Sequence, residues 1–467
     1  MYNESKFRKF VERFPHKHTP FFARPDVSRR AFFGLASAGV TGACLTSTKA
    51  FADVITRPNA TLLNKAKNVI MIQFTGAPSH TDTFDLKVID GTTPSRTAPS
   101  MINGINWPTG IFPKLADNLG DLAIARSTRS WAAAHSLAQT WMQIGRSPAA
   151  VLGDVAPNIG SVVSLEKKAE RKPNQIFPTF LALGANNAIG SGYFPAAYEP
   201  FKTEASPAGL ANTVNQDGQT RFEDKWNILQ QIDGGLRVNS PLGNDAEDYG
   251  DFYKAARGLM YNPAVDKAFR FSGTDSTRYG SSAFGNSLLV AKQVLAADEG
   301  TRYIQVSLGG WDMHTDIYGA AANRNNNIYT LGKTLDDGFS ALLNDLKSSG
   351  LLAQTRIVMM GEFGRTVGQL NNTGGRDHFL QQFAVFAGAG IKGGRALGAT
   401  DDFGRGSVEY GWGEDRDFRP EDVEATIYSA LGINYLTIRY DDPFKRGFEY
   451  VPYANDGLYK PIAELWG

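Results

Sequence analysis

Cysteine is almost absent from this chain of 467 residues, and the single one, Cys44, lies close to the N-terminus. One thiol excludes an internal disulfide and any zinc site built on cysteine. Histidine is also scarce: of six, His16 and His18 fall in the same early segment, which leaves His80, His135, His314 and His378. Long apolar runs are missing, because residues 31–48 are interrupted by Gly34, Gly39, Gly42 and three threonines and so do not read as a spanning helix. An excess of one charge is missing as well, with 48 Lys/Arg against 47 Asp/Glu. No basic stripe interleaved with aromatics occurs, which excludes a nucleic-acid partner. The composition that remains, 42% hydrophobic and 20% charged, is that of a folded globular protein.

The first 52 residues differ from the rest. A basic arm leads into Ser28-Arg29-Arg30-Ala31-Phe32-Phe33, then a Gly- and Ala-rich stretch ending Ala50-Phe51-Ala52, a small-x-small cleavage signal. This pattern is that of a twin-arginine signal peptide. It predicts export by the twin-arginine machinery and a periplasmic or secreted protein, with association to the cell surface as an option. Without residues 1–52 the chain keeps 39 basic and 44 acidic groups, a net charge near −5, and no thiol nucleophile. Cargo of this route crosses the membrane folded, which suits a protein carrying a metal ion.

Residues 53–467 read as one α/β domain. Short β-rich runs that stop at small residues, "KNVIMIQF", "DLAIARS", "QIFPTFLALG", "RYIQVSLGG", "RIVMMGEFG" and "QFAVFAGAG", alternate with helical stretches. The helical stretches are "AAAHSLAQTWMQIG", "FGNSLLVAKQVLAADEG", "NNIYTLGKTLDDGFSALLNDLKSSG" and "RPEDVEATIYSALGI", the last opening on Pro420 and closing at Gly432. Such alternation predicts parallel βαβ construction. Residues 190–283 break the rhythm and read as an insertion or cap.

All four remaining histidines lie near strand ends or helix starts, where an open α/β sheet places its ligands. Asp312 pairs with His314 in "GGWDMHTD", Asp377 with His378 in "GGRDHF", and Asp82 stands near His80 in "FTGAPSHTDTFD". Glu362 follows "RIVMM". His and carboxylate in such pairs suit a divalent ion, zinc first, with manganese, magnesium or calcium as alternatives. Each pair alone is also what an ordinary hydrogen-bonded couple would look like. Arg365 in "GEFGRT" and Arg376 in "GGRDHF" are candidates to clamp a phosphate or sulfate as planar forks, or else structural ion-pair arginines. "GAGIKG", 388–393, matches G-x-G-x-x-G, but no helical sequence follows it, so it reads as a glycine-rich turn and not a dinucleotide loop.

"FTGAPSHTDTFD", "GGWDMHTD", "GEFGRT" and "GGRDHF", in that order behind a twin-arginine leader, resemble the secreted bacterial family of domain of unknown function 1501. That family is in turn similar to the alkaline phosphatase and sulfatase superfamily. The resemblance implies a sandwich with a largely parallel central sheet flanked by helices, metal ions at the strand ends, and hydrolysis of phosphate or sulfate esters. It implies Asp312, His314 and His378 as metal ligands. Glu362 keeps a carboxylate where an Asp-His pair is usual, with Phe363 in place of the histidine. Thr75 stands where an aspartate is usual, so His80 and Asp82 would complete the site from the loop. Where sulfatases carry their modified nucleophile at the start of a helix, this chain has His135 and then Ser136. His135 as general acid or base, a phosphorylated His135, attack by Ser136, or no catalysis all fit that departure. The expectation is therefore an exported metal-dependent hydrolase of a small-molecule or glycan ester, with a non-catalytic binding or surface-assembly protein of the same fold as the alternative.

Overall fold

An apolar run such as "NVIMIQF" is satisfied only where both faces of a strand are covered, and all seven residues of β1 (Asn68–Phe74) are buried. In the computed structural model, which describes residues 54–56, 60–238, 240, 243–319 and 326–466, β1 lies inside an eight-stranded sheet. Its other strands are β2 (Leu122–Arg129), β3 (Phe180–Leu183), β4 (Phe201–Thr203), β5 (Tyr303–Leu308), β6 (Thr355–Gly361), β7 (Gln381–Gly388) and β8 (Arg395–Leu397). Their spatial order is β8-β2-β7-β6-β1-β5-β3-β4. Every neighbouring pair is parallel except those made by β7, which runs antiparallel to both β2 and β6. The α/β class with a mostly parallel central sheet is as expected, and the reversed β7 makes the sheet mixed.

The two-residue period of a strand sends alternate side chains to opposite layers. Ile70, Ile72 and Phe74 join Ile304, Val306, Ile357 and Met359 in one core, closed by α5 (Ala283–Ala297) and α6 (Ile328–Ser348). Leu335, Phe339, Leu342 and Leu346, spaced three and four apart, supply α6's apolar stripe. Val69 and Met71 face the other way, with Val358, Met360, Ala384 and Phe386. They pack against α1 (His135–Ile144), α2 (Ile159–Glu166) and α7 (Pro420–Ala430). Within that second layer Gln305 Nε2 donates to Gln73 Oε1 at 2.9 Å and to Gln143 Oε1 at 3.1 Å. Asn158 Nδ2 donates to Gln143 Oε1 at 3.2 Å, so buried amides fix α1 to the sheet.

The segment 190–283 supplies the edge strand β4 as well as α3 (Gln219–Asp233), which buries none of its residues, and α4 (Asn244–Leu259). Gly388 and Gly390 hold φ of +72° and +78°, and a strand, β8, follows the turn where a dinucleotide fold would place a helix. Among the described residues no helix is long and apolar enough to cross a membrane. The leader, residues 1–52, lies outside the described residues.

All of α7 is buried, including its acids. Glu421 is 2% exposed and accepts from two indoles, Trp131 Nε1 at 3.1 Å and Trp141 Nε1 at 2.9 Å. Burial pushes its carboxyl from 4.5 up to about 7, against the pull of the indole N–H groups. A folded-state value above the unfolded one favours the protonated form, so its contribution to stability is whole below 4.5 and is lost as pH climbs to about 7. Glu421→Gln should therefore gain on the native chain across that window, by up to about 1.4 kcal/mol per pH unit. Urea unfolding at a series of pH values measures this, and parallel curves for the two proteins would remove burial of an acid as the cause.

Candidate metal centre

Five strand ends meet at one edge of the sheet. The loops after β1, β5 and β6 arrive from parallel strands; β2 leads there into α1; β7, being reversed, begins there. Two glycines allow the approach. Gly76 holds φ +98°, and a Cβ on it would stand 2.5 Å from the backbone nitrogen of Asp312. A Cβ on Gly375 would lie 2.1 Å from the carbonyl carbon of His314. The loops touch backbone to backbone, which only glycine permits.

His135, Asp312, His314 and His378 each direct one ligand atom into the common space, and these atoms lie within 4.8 Å of one another. Asp312 Oδ1 is 3.3 Å from His135 Nε2, 3.0 Å from His314 Nε2 and 3.9 Å from His378 Nε2. His314 Nε2 and His378 Nε2 are themselves 3.0 Å apart. Asp312 and His314 reach the same space from one loop, which turns at Asp312 where the Met313 amide donates to the Trp311 carbonyl at 2.8 Å.

The other ring nitrogen of each histidine decides its tautomer. His135 Nδ1 meets Glu362 Oε1 at 2.7 Å, and the Gly76 amide donates to that same oxygen at 2.8 Å. His314 Nδ1 meets Asp377 Oδ1 at 2.7 Å, and His378 Nδ1 meets the carbonyl of Ala133 at 2.7 Å. Each of these partners accepts, so each Nδ1 carries a hydrogen and each ring turns its Nε2 toward the centre. Three imidazole nitrogens and a carboxylate oxygen then face one another. Buried His135 Nε2 and Glu362 Oε2 have no hydrogen-bond partner. Four ligands about 2.0–2.1 Å from a zinc ion stand about 3.3 Å apart in a tetrahedron. Four of the six separations, 3.0, 3.0, 3.3 and 3.9 Å, bracket that spacing and all six stay within 4.8 Å, so the nitrogen-rich donor set fits a divalent cation of zinc type after a small closure of the ligands.

The acids differ in their surroundings. Burial acts to raise Asp312, but the hydrogen bond and charge of Arg365, with His135 and His314, outweigh it and hold its carboxyl below the usual range. Burial pushes Glu362 up, and the hydrogen bond to His314 draws exposed Asp377 down. Burial lowers His378.

Several expected roles are corrected by this geometry. Glu362 and Asp377 stand behind His135 and His314 instead of among the ligand atoms. His135, expected to face the ester, contributes a ligand atom, while Ser136 beside it is exposed. His80 does not reach the centre: it is buried, its Nε2 is 2.9 Å from the Gly404 carbonyl and its ring stacks on Phe379. Asp82 is spent on the Ser79 hydroxyl, the Tyr318 hydroxyl and Arg376 Nε, at 2.5, 2.5 and 2.6 Å. Arg376, 1% exposed, gives its remaining hydrogens to the Thr366 and Gly368 carbonyls. Arg365 has no exposed side-chain surface, binds Asp312 Oδ1 at 2.5 Å and the carbonyls of Ala77 and Arg376, and sits 3.2 Å from His314 Nε2. Neither arginine is free to clamp a substrate. The Ala133 carbonyl was missed altogether, since a backbone acceptor leaves no mark in a sequence.

Residues 66–445 match a family described as protein of unknown function (DUF1501). No curated protein matches. Solved structures similar to this one include a protein in the alkaline phosphatase superfamily from Vibrio parahaemolyticus, 10% identical, with 87% of this chain and 76% of that one covered and a TM-score of 0.37. The PsFucS1 sulfatase from Pseudoalteromonas sp. is 12% identical, with 79% and 68% covered and a TM-score of 0.36. The C-terminal periplasmic domain of EcEptC from Escherichia coli, in complex with zinc, is 11% identical, with 72% and 76% covered and a TM-score of 0.32.

The acceptors behind the imidazoles should matter unequally. Glu362 has no exposed side-chain surface and Asp377 has 56%, so water can replace the second but not the first. Glu362→Ala should weaken zinc binding about 10–100-fold, and Asp377→Ala much less. Competition against a chromogenic chelator reads both, and equal losses would refute this ranking.

Proposed function

The chain belongs to the family described as protein of unknown function (DUF1501), and we propose that within it this protein is an exported, metal-dependent hydrolase of phosphate or sulfate esters. The observation that carries the reading is the convergence of three imidazole Nε2 atoms and one carboxylate oxygen, with each Nδ1 held from behind by an acceptor. Zinc is the ion the nitrogen-rich donor set favours, with manganese or magnesium as alternatives. Bound there, it would polarise an ester oxygen and lower the pKa of a water to about 7.

The chain's own residues prepare the site for an anion. Arg365 offsets the charge of Asp312, so the donor set is neutral overall and leaves a dication its full attraction for phosphate or sulfate. Ala134 caps α1 without a side-chain hydrogen bond, so the first amides of that helix stay free beside His135. Among the described residues no Ser or Thr hydroxyl is bonded to a ring of the cluster, which favours water over a side chain as the attacking group.

The leader sequence supports export through the twin-arginine machinery, hence a periplasmic or secreted protein. The same lack of an activated hydroxyl also supports the second reading, a binding or surface-assembly protein in which the ion is structural. The two separate on one preparation, exported by its host and then dialysed against a chelator. A hydrolase should cleave p-nitrophenyl phosphate or p-nitrophenyl sulfate, lose at least about 100-fold of that rate on chelation, and regain it with one divalent ion; His135→Ala should lose it permanently. A melting temperature that falls on chelation, without cleavage of either ester under any ion, would sink the hydrolase and leave the structural ion.

A further inference from the structure

A second feature stands on the same rim. Trp131 keeps 43% of its surface exposed, although it lies two residues before Ala133, whose carbonyl holds His378 Nδ1 at 2.7 Å. Two residues of chain span at most about 7 Å, so the backbone of Trp131 starts beside the one that orients His378.

An exposed tryptophan normally folds down onto the nearest apolar surface, but this one is held in place. Its Nε1 donates to Glu421 Oε2 at 3.1 Å, and Glu421 Oε1 accepts at 2.9 Å from Trp141, the indole beside it. The two rings lie 25° from parallel with centroids 6.1 Å apart. The Arg419 guanidinium stands 3.9 Å from the Trp131 ring centre, fixed by bonds from Nη1 to the carbonyls of Arg129 and Ser130 at 3.2 Å each. Burying a carboxyl to anchor an indole that stays partly in water costs stability. Rigidity before binding is what that cost supplies.

We propose that Trp131, backed by Trp141 and Arg419, stacks against a pyranose ring, so that the ester carried to the metal centre belongs to a glycan. This deepens the hydrolase reading and rests on it only for the word ester. A sugar ring presents one face of C–H bonds, which an indole attracts, and a rim of hydroxyls. The rim would find a neutral hydroxyl on the first turn of α1, that of exposed Ser136. A nucleoside also stacks, and Arg419 beside the indole could meet its phosphate, so adenosine and ATP enter the test as competitors.

The test reads binding alone. The intact exported protein, loaded with zinc, is passed over a printed array of neutral, sulfated and phosphorylated pyranose oligosaccharides, with adenosine and ATP as soluble competitors. At least one glycan should be retained; Trp131→Ala should weaken that retention about tenfold and Trp131→Phe by less. Zinc stoichiometry and melting temperature show whether each variant is still folded, and Trp131→Phe serves where Trp131→Ala is not. No retained glycan, retention unchanged in both variants, or displacement by adenosine overturns the proposal. Failure to hydrolyse p-nitrophenyl esters would sink the hydrolase reading and leave glycan binding standing, so the two fail separately.

Discussion

Three imidazole nitrogens and a carboxylate oxygen are held within 4.8 Å of one another, and the rest of the site exists to keep them there. Left alone, His314 Nε2 and His378 Nε2 at 3.0 Å would repel, since both rings have placed their hydrogen on the far side. The relief on hand is partial: Arg365 Nη1 lies 3.2 Å from His314 Nε2 and Nη2 binds Asp312. His135 Nε2 receives nothing. A cation removes the conflict at all four atoms together, and a buried arginine removes it at two.

The sheet turns this local tension into architecture. The four ligands come from three strand ends, His135 after β2, Asp312 and His314 after β5, and His378 before β7, so none moves without disturbing the packed sheet. Glycine sets how near the loops come. At Gly76 and Gly375 one added carbon would collide with the backbone of the very loop that carries Asp312 and His314. Arg376 and Asp82 make a second, fully buried pair that ties the loop before β7 to the loop after β1. That is where two residues expected to bind substrate and metal do their work.

Much of this could be read in the sequence, for reasons that also explain the misses. Unbroken apolar runs located the central strands, and the position of Asp312 and His314 just after a strand end marked them as a pair. Asp377 and His378 are adjacent, and adjacent extended residues point apart; a shared ligand role for both conflicted with that rule, and Asp377 in fact supports His314. The reversal of β7 also had a signal. No helical pattern separates "RIVMMGEFG" from "QFAVFAG", and a parallel return needs a crossover. The pairing of Arg376 with Asp82 had none, because residues so far apart in the chain become neighbours only through the topology of the sheet.

The segment 130–135 shows how few residues join separate demands. The Ser130 hydroxyl binds the Glu362 carbonyl, the Ala133 carbonyl orients His378, and His135 opens α1 with its ring in the cluster. Between them Trp131 reaches the other way, to Glu421 on α7. Six residues thus fix two imidazoles and one indole, with buried carboxyls behind His135 and behind Trp131. The same short backbone carries both the indole and the carbonyl that orients His378, so a change of chain path made for one is a change made for the other.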